Sequence, residues 1–303
     1  MPIQQMFLGL GAAEKFAEAT GGTVTTSGDY KIHAFTSSGT FTVTQLADTN
    51  EFECLLVSGG GSGSIYATTG SGGGGGIVNH QTGQALTAAA YTITIGAGGS
   101  GVTYNVTPFA NVLGNEGGDS SIKLASDSSI ILEADVSDIS GSQSGNATHN
   151  LGGGNSAKVI NGTTTQYTGG DGYHPLSGAG GGAGSGENGG HTDLQHISGV
   201  WHVQGGTGGD GLAVSITGSS VNYGGGGGAS SGTHSYTSAG GAGGGGTGAG
   251  WNGTSPTAGS ANTGGGGGGG TGTYPNRASL ARPSANGGSG VCLLYTSPSP
   301  RDS

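Results

Sequence analysis

The stretch that decides the fold is NTGGGGGGGTG at residues 262–272, in which seven consecutive glycines run from Gly264 to Gly270. Glycine loses more conformational freedom on folding than any other residue and contributes no side chain to a core. Such a run therefore belongs either to a flexible linker or to a structure in which the glycine backbone is itself the packing material.

Glycine is abundant along the whole chain, with 75 glycines among 303 residues and only 8% charged residues. Proline is rare and no strict Gly-X-Y frame persists, which excludes a collagen triple helix. Acidic residues outnumber basic ones by 17 to 7, and the formal net charge of −10 disfavours nucleic acid or an anionic membrane as a partner. No apolar run is long enough to span a bilayer, and the start of the chain does not fit a secretory signal.

Nine glycine-rich runs alternate with polar segments and short strand-like pieces. An all-glycine segment can form a left-handed extended helix with three residues per turn, and several such helices side by side can satisfy one another's backbone groups. Only glycine permits this close approach, because any Cβ would hold the backbones apart. We expect a bundle of packed polyglycine helices of the polyproline-II type, with a flexible chain as the alternative. The runs lie at residues 71–76, 96–101, 151–154, 178–184, 205–211, 224–228, 239–250, 264–270 and 286–290.

Alternation with period two predicts strands around these runs. The alternating segment 30–35, the turn SSGT at 37–40 and the segment 41–43 predict a β-hairpin. The apolar segment 52–57 predicts a buried strand, with Cys54 as a small core residue. The expected fold class is mostly β and irregular, with an N-terminal β-hairpin leading into the glycine-rich bundle, short strands, long loops and little α-helix. Further strands are predicted at 91–96, 121–124, 130–132 and 212–216.

Four segments follow from this pattern. Residues 4–19 have apolar positions close to helical spacing, which predicts a short helix weakened by Gly9 and Gly11, and this segment is interpreted as an attachment segment rather than a site. The predicted divisions are an N-terminal attachment segment at 1–20, the β-hairpin and strand at 21–58, the polyglycine-helix domain at 59–291, and a tail at 292–303.

Two sets of residues are candidates for function. The glycines predicted to be structural are Gly224, Gly226, Gly244, Gly264, Gly267 and Gly270. The segments between the runs carry most of the aromatic residues outside the hairpin, and Trp and Tyr are enriched at binding hot spots. The residues predicted to bind a receptor are Trp201, His202, Tyr236, Trp251 and Tyr274. The alternative for each ring is packing on a glycine face, which is the interpretation of Tyr223.

Metal-ligating residue types occur without a standard spacing. HTDLQHISGVWH at 191–202 matches no zinc motif and shows no clear helix or strand period, so it is interpreted as a loop that is solvated or faces a receptor. GGTGGDGLA at 205–213 matches one calcium-binding nonapeptide, but those sites need tandem copies, and Asp210 is predicted to cap a turn. Cys54 and Cys292 make neither a disulfide framework nor a zinc site. No metal, cofactor or catalytic residue is predicted, and the protein is not expected to be an enzyme.

Taken together, the motifs resemble the glycine-rich domain of bacteriophage tail proteins. GGTVTTSGDYKIHAFTSSGTFTVT at 21–44 and FECLLVSGGGSGS at 52–64 are similar to the beginning of that domain. The start MPIQQMFLGLG resembles that of structural proteins from marine phages. Including the later pieces, the resemblance covers about residues 20–291. Those pieces are GGGGGIVN, YTITIGAGG, GNEGGDSSI, YGGGGGAS, GAGGGGTG, NTGGGGGGGTG and GGSGV.

The resemblance implies a virion protein of the phage tail fibre or tail tip. Such domains are similar to the distal adhesins on the long tail fibres of T-even-like phages, in which polyglycine helices form a rigid sandwich and the linking loops bind the host. The implied partners are a bacterial cell-surface receptor, either an outer-membrane protein or a polysaccharide, and other phage tail proteins. Two alternatives are a purely structural virion decoration protein and a secreted ice-binding protein. The long irregular loops disfavour the second alternative.

The C-terminal end departs from the family pattern. Family members usually close with a strand of the type Gly-Val-Val-Ile-Ile-Arg-Tyr, whereas here GGSGV is followed by CLLYTSPSPRDS. This tail resembles an in-frame translation of a common transposase sequencing adapter. The expectation is that residues 292–303 are not biological and that the true final strand is missing; the alternative is a genuine tail rich in Pro and Ser.

Overall fold

A computed structural model of the chain describes residues 17–27, 30–47, 51–65, 69–103, 112–136, 153–172, 178–197, 200–231, 237–272 and 281–296. Within these residues the regular elements are β-strands and there is no α-helix, which confirms the expectation of a mostly β fold. The strands are β1 (Glu18–Thr20), β2 (Thr23–Ser27), β3 (Tyr30–Phe35), β4 (Gly39–Gln45), β5 (Phe52–Val57), β6 (Val78–Gln84), β7 (Ala90–Thr94), β8 (Ser120–Leu124), β9 (Ile130–Ala134), β10 (Ser156–Ile160), β11 (Thr163–Tyr167), β12 (Asp193–Ile197), β13 (Val200–Gln204), β14 (Leu212–Val214), β15 (Val221–Tyr223) and β16 (Val291–Thr296).

Two larger sheets and two separate hairpins contain these strands. A five-stranded antiparallel sheet has the order β1-β4-β7-β8-β9, and a seven-stranded sheet has the order β11-β10-β6-β5-β16-β3-β2. Only β10 and β6 pair in parallel among the described strands. The two hairpins are β12–β13 and β14–β15.

The two larger sheets pack face to face around an aromatic core. Phe41, on the five-stranded sheet, is fully buried, and its ring centroid lies 6.3–6.4 Å from those of Phe35, Phe52 and Tyr91. Aliphatic residues from both sheets, such as Ile122 and Leu294, complete the cluster. The result is a β-sandwich whose core consists of the inward-facing residues of both sheets.

A second cluster covers the outer face of the seven-stranded sheet. Val214 and Tyr223 of the β14–β15 hairpin pack with Leu55 and Leu293 of the central strands β5 and β16. These two central strands are therefore buried on both faces, which explains why their sequences are almost continuously apolar. The burial of Tyr223 agrees with its interpretation as a packing residue.

The prediction of one β-hairpin from segments 30–35 and 41–43 is wrong. Strand β3 pairs with β2 and β16 in the seven-stranded sheet, whereas β4 pairs with β1 and β7 in the other sheet. The reason is that Phe35 and Phe41 both need burial, so the two strands place them edge to face across the sandwich instead of pairing their backbones. The N-terminal hairpin of this region is formed by β2 and β3.

Other strand predictions fall close to observed elements. The segments 91–96, 121–124, 130–132 and 212–216 correspond to β7, β8, β9 and β14. The end of the predicted attachment segment differs, because Glu18–Thr20 is a strand paired with β4 and not the end of a helix. Residues 1–16 lie outside the described part of the chain.

The first residues of the predicted tail form the central strand β16. It lies between β3 and β5 and pairs antiparallel with both, so the final strand of the sheet is present. The segment fits because Cys292 and Leu294 face the sandwich core while Val291 and Leu293 face the outer cluster. The adapter origin of residues 292–303 stays a prediction, and residues 297–303 lie outside the described chain.

The glycine runs form a body at one end of the sandwich. The expected bundle of polyglycine helices is not borne out, because the described runs form neither regular helices nor strands. They are instead joined to one another by backbone hydrogen bonds. Successive residues of segment 59–64 donate to three neighbouring runs in turn, and the order repeats every third residue. The pairs are Gly59–Gly118 and Ser62–Asn115, Gly60–Gly288 and Gly63–Ala285, Gly61–Gly74 and Ser64–Ser71, with N···O distances of 2.8–3.1 Å.

The seven-glycine run 264–270 lies inside this body, and all seven glycines are buried. It donates hydrogen bonds to the run 224–228, to segment 59–64 and to Thr257. Its carbonyl oxygens accept hydrogen bonds from three further runs, at 71–76, 245–249 and 285–288. We call this hydrogen-bonded body of runs the glycine lattice.

Candidate functional site

The glycine lattice has one end at the sheets and one end away from them. Strand β5 leads into segment 58–65, residues 69–77 lead back into β6, and residues 283–290 lead back into β16. The far ends of the runs meet through backbone pairs such as Ile65 with Val112 and Thr271 with Arg282. We call this second end the distal end; it comprises residues 64–65, 70, 112, 205, 230–231, 237–238, 249–250, 270–271 and 282, joined by these pairs and by neighbouring contacts and hydrogen bonds.

Buried serines satisfy backbone groups at the distal end. Gly70 donates its N–H to the hydroxyl of Ser230 at 2.6 Å, and the hydroxyl of Ser238 donates to the carbonyl of Gly205 at 2.7 Å. At the end near the sheets, the Ser185 hydroxyl donates to the Gly76 carbonyl at 2.6 Å. The sequence reasoning missed these residues. Their signal is the placement of serines inside or beside the runs, as in SGGGSGS at 58–64.

Trp251 lies in a turn that follows run 245–250 at the distal end, and it is half-buried. Gly253 closes the turn by donating to the carbonyl of Gly250 at 3.0 Å. The Nε of Arg282 donates to the carbonyl of Gly253 at 2.8 Å. This hydrogen bond joins the turn that carries Trp251 to the segment that begins at residue 281.

Trp201 and His202 lie in β13, so the interpretation of residues 191–202 as an irregular loop is wrong. In the β12–β13 hairpin, His196 is paired with Trp201 and Gln195 with His202. The chain re-enters the lattice from this hairpin at Gly205, whose carbonyl is bonded to Ser238. The missed signal is the run of β-branched and aromatic residues around Trp201.

Tyr236 and Tyr274 lie outside the described residues. The described residues that precede and follow them, Ser231 and Thr237 for the first and Thr271 and Arg282 for the second, belong to runs that end at the distal end. The described residues on either side of Tyr236 and Tyr274 therefore lie at the same end of the lattice as Gly205, which follows β13, and as the turn of Trp251.

The predicted structural glycines occupy positions that exclude a side chain. Gly224, Gly244 and Gly264 have φ values of +71°, +93° and +68°, which side-chain-bearing residues rarely adopt. A Cβ at Gly226, Gly267 or Gly270 would lie within 3.0 Å of backbone atoms of a neighbouring run.

The metal-ligating residue types of the described chain do not converge. His191 accepts a hydrogen bond from the backbone N–H of Asp171 at 2.9 Å, and its ring lies 3.5 Å from the exposed Asp171 carboxylate. Among the described residues, no three His, Cys, Asp or Glu side chains are grouped as metal ligands would be. Asp210 accepts a hydrogen bond from Ala242 N–H at 2.7 Å, so it fastens two runs together rather than capping its own turn.

The described residues contain no helix that is long and apolar enough to cross a membrane. No curated protein matches this sequence. The glycine-rich domain family matches residues 36–297, from the start of the turn after β3 to the residue beyond β16. Because the match includes the sandwich strands from β4 onward and the glycine lattice, the chain belongs to the glycine-rich domain family.

Proposed function

We propose that this protein is a phage tail-fibre or tail-tip adhesin of the virion, which binds a bacterial cell-surface receptor through segments at its distal end. The receptor is an outer-membrane protein or a polysaccharide. Other phage tail proteins are the second class of partner, and they would hold the N-terminal segment and the sandwich.

One observation carries this proposal. The segments with Trp201, His202, Tyr236, Trp251 and Tyr274 all leave the glycine lattice at the distal end, whereas the strands that close the fold lie at the opposite end. A lattice from which segments rich in aromatic residues continue at one end, with a sandwich at the other, is suited to presenting those segments while being held by the sandwich.

The lattice supports such a role through rigidity. Its hydrogen bonds join glycine runs to one another, so the connecting segments can vary without breaking the bonds that hold the fold. A stiff support also lowers the conformational entropy lost when the distal segments bind. The resemblance of the sequence motifs to phage tail proteins favours a host receptor as the target.

We further propose that each run has the three-residue turn of a polyproline-II helix. The support is the period of three in the partners of segment 59–64, and the same period in the run 225–231. Gly225, Gly228 and Ser231 of that run donate to Gly243, Gly246 and Ala249. Vibrational circular dichroism tests this conformation: we expect a polyproline-II signal that is lost cooperatively on heating, and a spectrum explained by β-sheet alone would contradict it.

The adhesin proposal is tested with the purified full chain and a panel of bacterial isolates. We expect fluorescently labelled protein to bind particular strains and to block phage infection of them. Shortening residues 193–204, 232–236 and 251–254 should abolish binding without lowering the melting temperature by more than a few degrees. The matched control is Val24→Ser in the sheet region, which should bind normally. Retained binding after all three segments are shortened would refute the binding role of Trp201, His202, Tyr236 and Trp251.

A further inference from the structure

Four asparagines of this chain are followed directly by glycine. Such a pair can react with itself, because glycine has no side chain to hinder the attack of its backbone nitrogen on the asparagine amide. The sequence treats the four pairs alike, so only their surroundings in the fold can separate them. The pairs are Asn161–Gly162, Asn188–Gly189, Asn252–Gly253 and Asn286–Gly287.

The asparagine side chains do not distinguish the four pairs. In each pair the oxygen Oδ1 accepts a hydrogen bond from a backbone N–H, with N···O distances of 2.6–3.1 Å. Such a donor stabilises the negative charge that develops on this oxygen when the amide carbon is attacked. The backbone donors are Thr82 to Asn161, Thr168 to Asn188, Thr254 to Asn252 and Gly101 to Asn286.

The backbone nitrogens of the glycines do distinguish one pair. Three of them donate their N–H to a carbonyl at 2.9–3.0 Å, and a hydrogen bond donated by the attacking nitrogen opposes the loss of its proton. Within the part of the chain that the structure describes, the N–H of Gly162 has no such partner. The three bonds are Gly189 to Thr168, Gly253 to Gly250 and Gly287 to Gly99.

The turn that contains Gly162 leaves room for the reaction. Asn161 and Gly162 are the two-residue loop between β10 and β11, and both are exposed. Their φ values of +45° and +78° are those of the hairpin turn that favours Asn-Gly. Apart from its chain neighbours, no atom lies within 4 Å of the place where Gly162 would carry a Cβ, so neither ring closure nor the approach of water is blocked.

We infer that Asn161 is a self-modification site of the folded protein, where the asparagine deamidates through a cyclic imide formed with Gly162. The Gly162 nitrogen bonds to Asn161 Cγ, and the Cγ–Nδ2 bond breaks. The side-chain amide leaves as ammonia and takes the proton of the Gly162 N–H. Water then opens the five-membered imide at one of its two carbonyls and leaves aspartate or isoaspartate. One water is consumed and one ammonia is released, without oxidation or reduction.

The modification acts on the sandwich and not on the glycine lattice. Strand β10 begins two residues after Gly154, which is bonded to Gly72 in the lattice, so the turn at its other end points away from the lattice. The product adds a negative charge at this turn. In isoaspartate the Cβ becomes part of the main chain, which changes the loop length that fixes the register of the β10–β11 hairpin.

Hydroxylamine tests this inference, because it cleaves a chain where such an imide forms. The folded full chain in mildly alkaline buffer should be cut first between Asn161 and Gly162, giving fragments 1–161 and 162–303. The expected preference over each other pair is at least about fivefold, because the other glycines must first break a hydrogen bond. In concentrated urea, where these bonds are lost, the four pairs should be cut at similar rates.

Two matched variants assign the native cleavage. Asn161→Asp keeps an oxygen acceptor for Thr82 but lacks the amide leaving group, so the native cut should disappear. Asn188→Asp should leave that cut unchanged. Tandem mass spectrometry of stored native protein should likewise find Asn161 converted before the other three asparagines. Equal native cleavage at all four pairs, a preference for another pair, or a native chain that resists cleavage at Asn161 would overturn the inference.

Discussion

The backbone N–H of Gly267 donates a hydrogen bond to the carbonyl oxygen of Gly61 at 2.9 Å. This bond joins the seven-glycine run to the segment that follows strand β5. The carbonyl of Gly267 accepts at the same time from the N–H of Gly73, also at 2.9 Å. The N–H of Gly267 thus links the seven-glycine run to segment 59–64, and its carbonyl links the same run to the run 71–76. The lattice is built from hydrogen bonds of this kind.

Gly267→Ala is expected to lower the free energy of unfolding by about 3 kcal/mol, because the new Cβ would collide with the carbonyl oxygens of Ala285 and Asn286. The matched control is Gly39→Ala, where the nearest atoms belong to the Phe35 ring at 3.5 Å and the expected change is within about 0.5 kcal/mol. Urea denaturation of both variants measures the difference. Equal tolerance at the two positions would mean that the run is a linker.

Ser120→Ala is expected to cost about 2 kcal/mol of stability, since it leaves two buried backbone groups without their partner. The Ser120 hydroxyl accepts from Gly96 N–H at 2.9 Å and donates to the Val57 carbonyl at 2.7 Å. Ser220→Ala, at an exposed position, is the control and should change stability by less than about 0.5 kcal/mol. Thermal melts of the two variants make the comparison, and a loss that is the same in both would contradict the role of the hydroxyl.

Acid should destabilise the fold through His33. Burial lowers the pKa of His33 below its ordinary value of 6.5, and Lys31 acts in the same direction, while the hydrogen bond to Gly21 opposes them. Its Nδ1–H donates to the Gly21 carbonyl at 2.8 Å, and its Nε2 is buried with no partner in the described structure. The unfolded chain therefore takes up the proton first, so stability should fall as the pH drops below about 6.5 and be independent of His33 above it.

The control for this pH dependence is His33→Gln, which keeps a donor for Gly21 but does not titrate. Denaturation curves between about pH 5 and pH 8 should show a smaller loss of stability on acidification for this variant than for the wild type. Identical pH profiles for the two proteins would show that His33 is not responsible.

Leu294→Ala is expected to destabilise the protein by about 3 kcal/mol, because Leu294 is fully buried in the central strand β16. Ile130→Ala is the control, since Ile130 is 56% exposed and its truncation should cost much less. Chemical denaturation measures both. A negligible effect at Leu294 would mean that residues 292–296 do not form the closing strand in solution.

Both cysteines should be unreactive in the folded protein. Burial raises the pKa of the Cys54 thiol to about 12, with Glu53 adding to the rise, and burial also raises the pKa of Cys292. Thiolate is the reactive form, so labelling with a thiol reagent at about pH 8 should occur only at the rate of unfolding. Rapid labelling of the native protein would contradict the buried placement of Cys54 and Cys292.

Many strands of the sandwich were predictable because their own residues show an apolar run or an alternation of polar and apolar positions. The apolar segment at Phe52–Val57 and the alternation at Ala90–Thr94 predict strands wherever they pack. The structural glycines were also predictable, since a run such as Gly264 to Gly270 is compatible with folding only where backbones approach closely. The hairpin of β12 and β13 was missed because polar and apolar residues do not alternate regularly in Asp193–Ile197 and Val200–Gln204.

The sequence by itself determined that the chain is mostly β, that its glycines are packing material, and that its aromatic segments lie between glycine runs. Only the tertiary structure decided which runs are neighbours, that β3 and β4 lie in different sheets, and that β16 lies between β3 and β5. The physical reason is that a glycine run has no side chains and so carries no information about its partners. In the folded chain the neighbours of a run are set by the strands that lead into it and by buried serines such as Ser185, whose hydroxyl donates to the Gly76 carbonyl of another run.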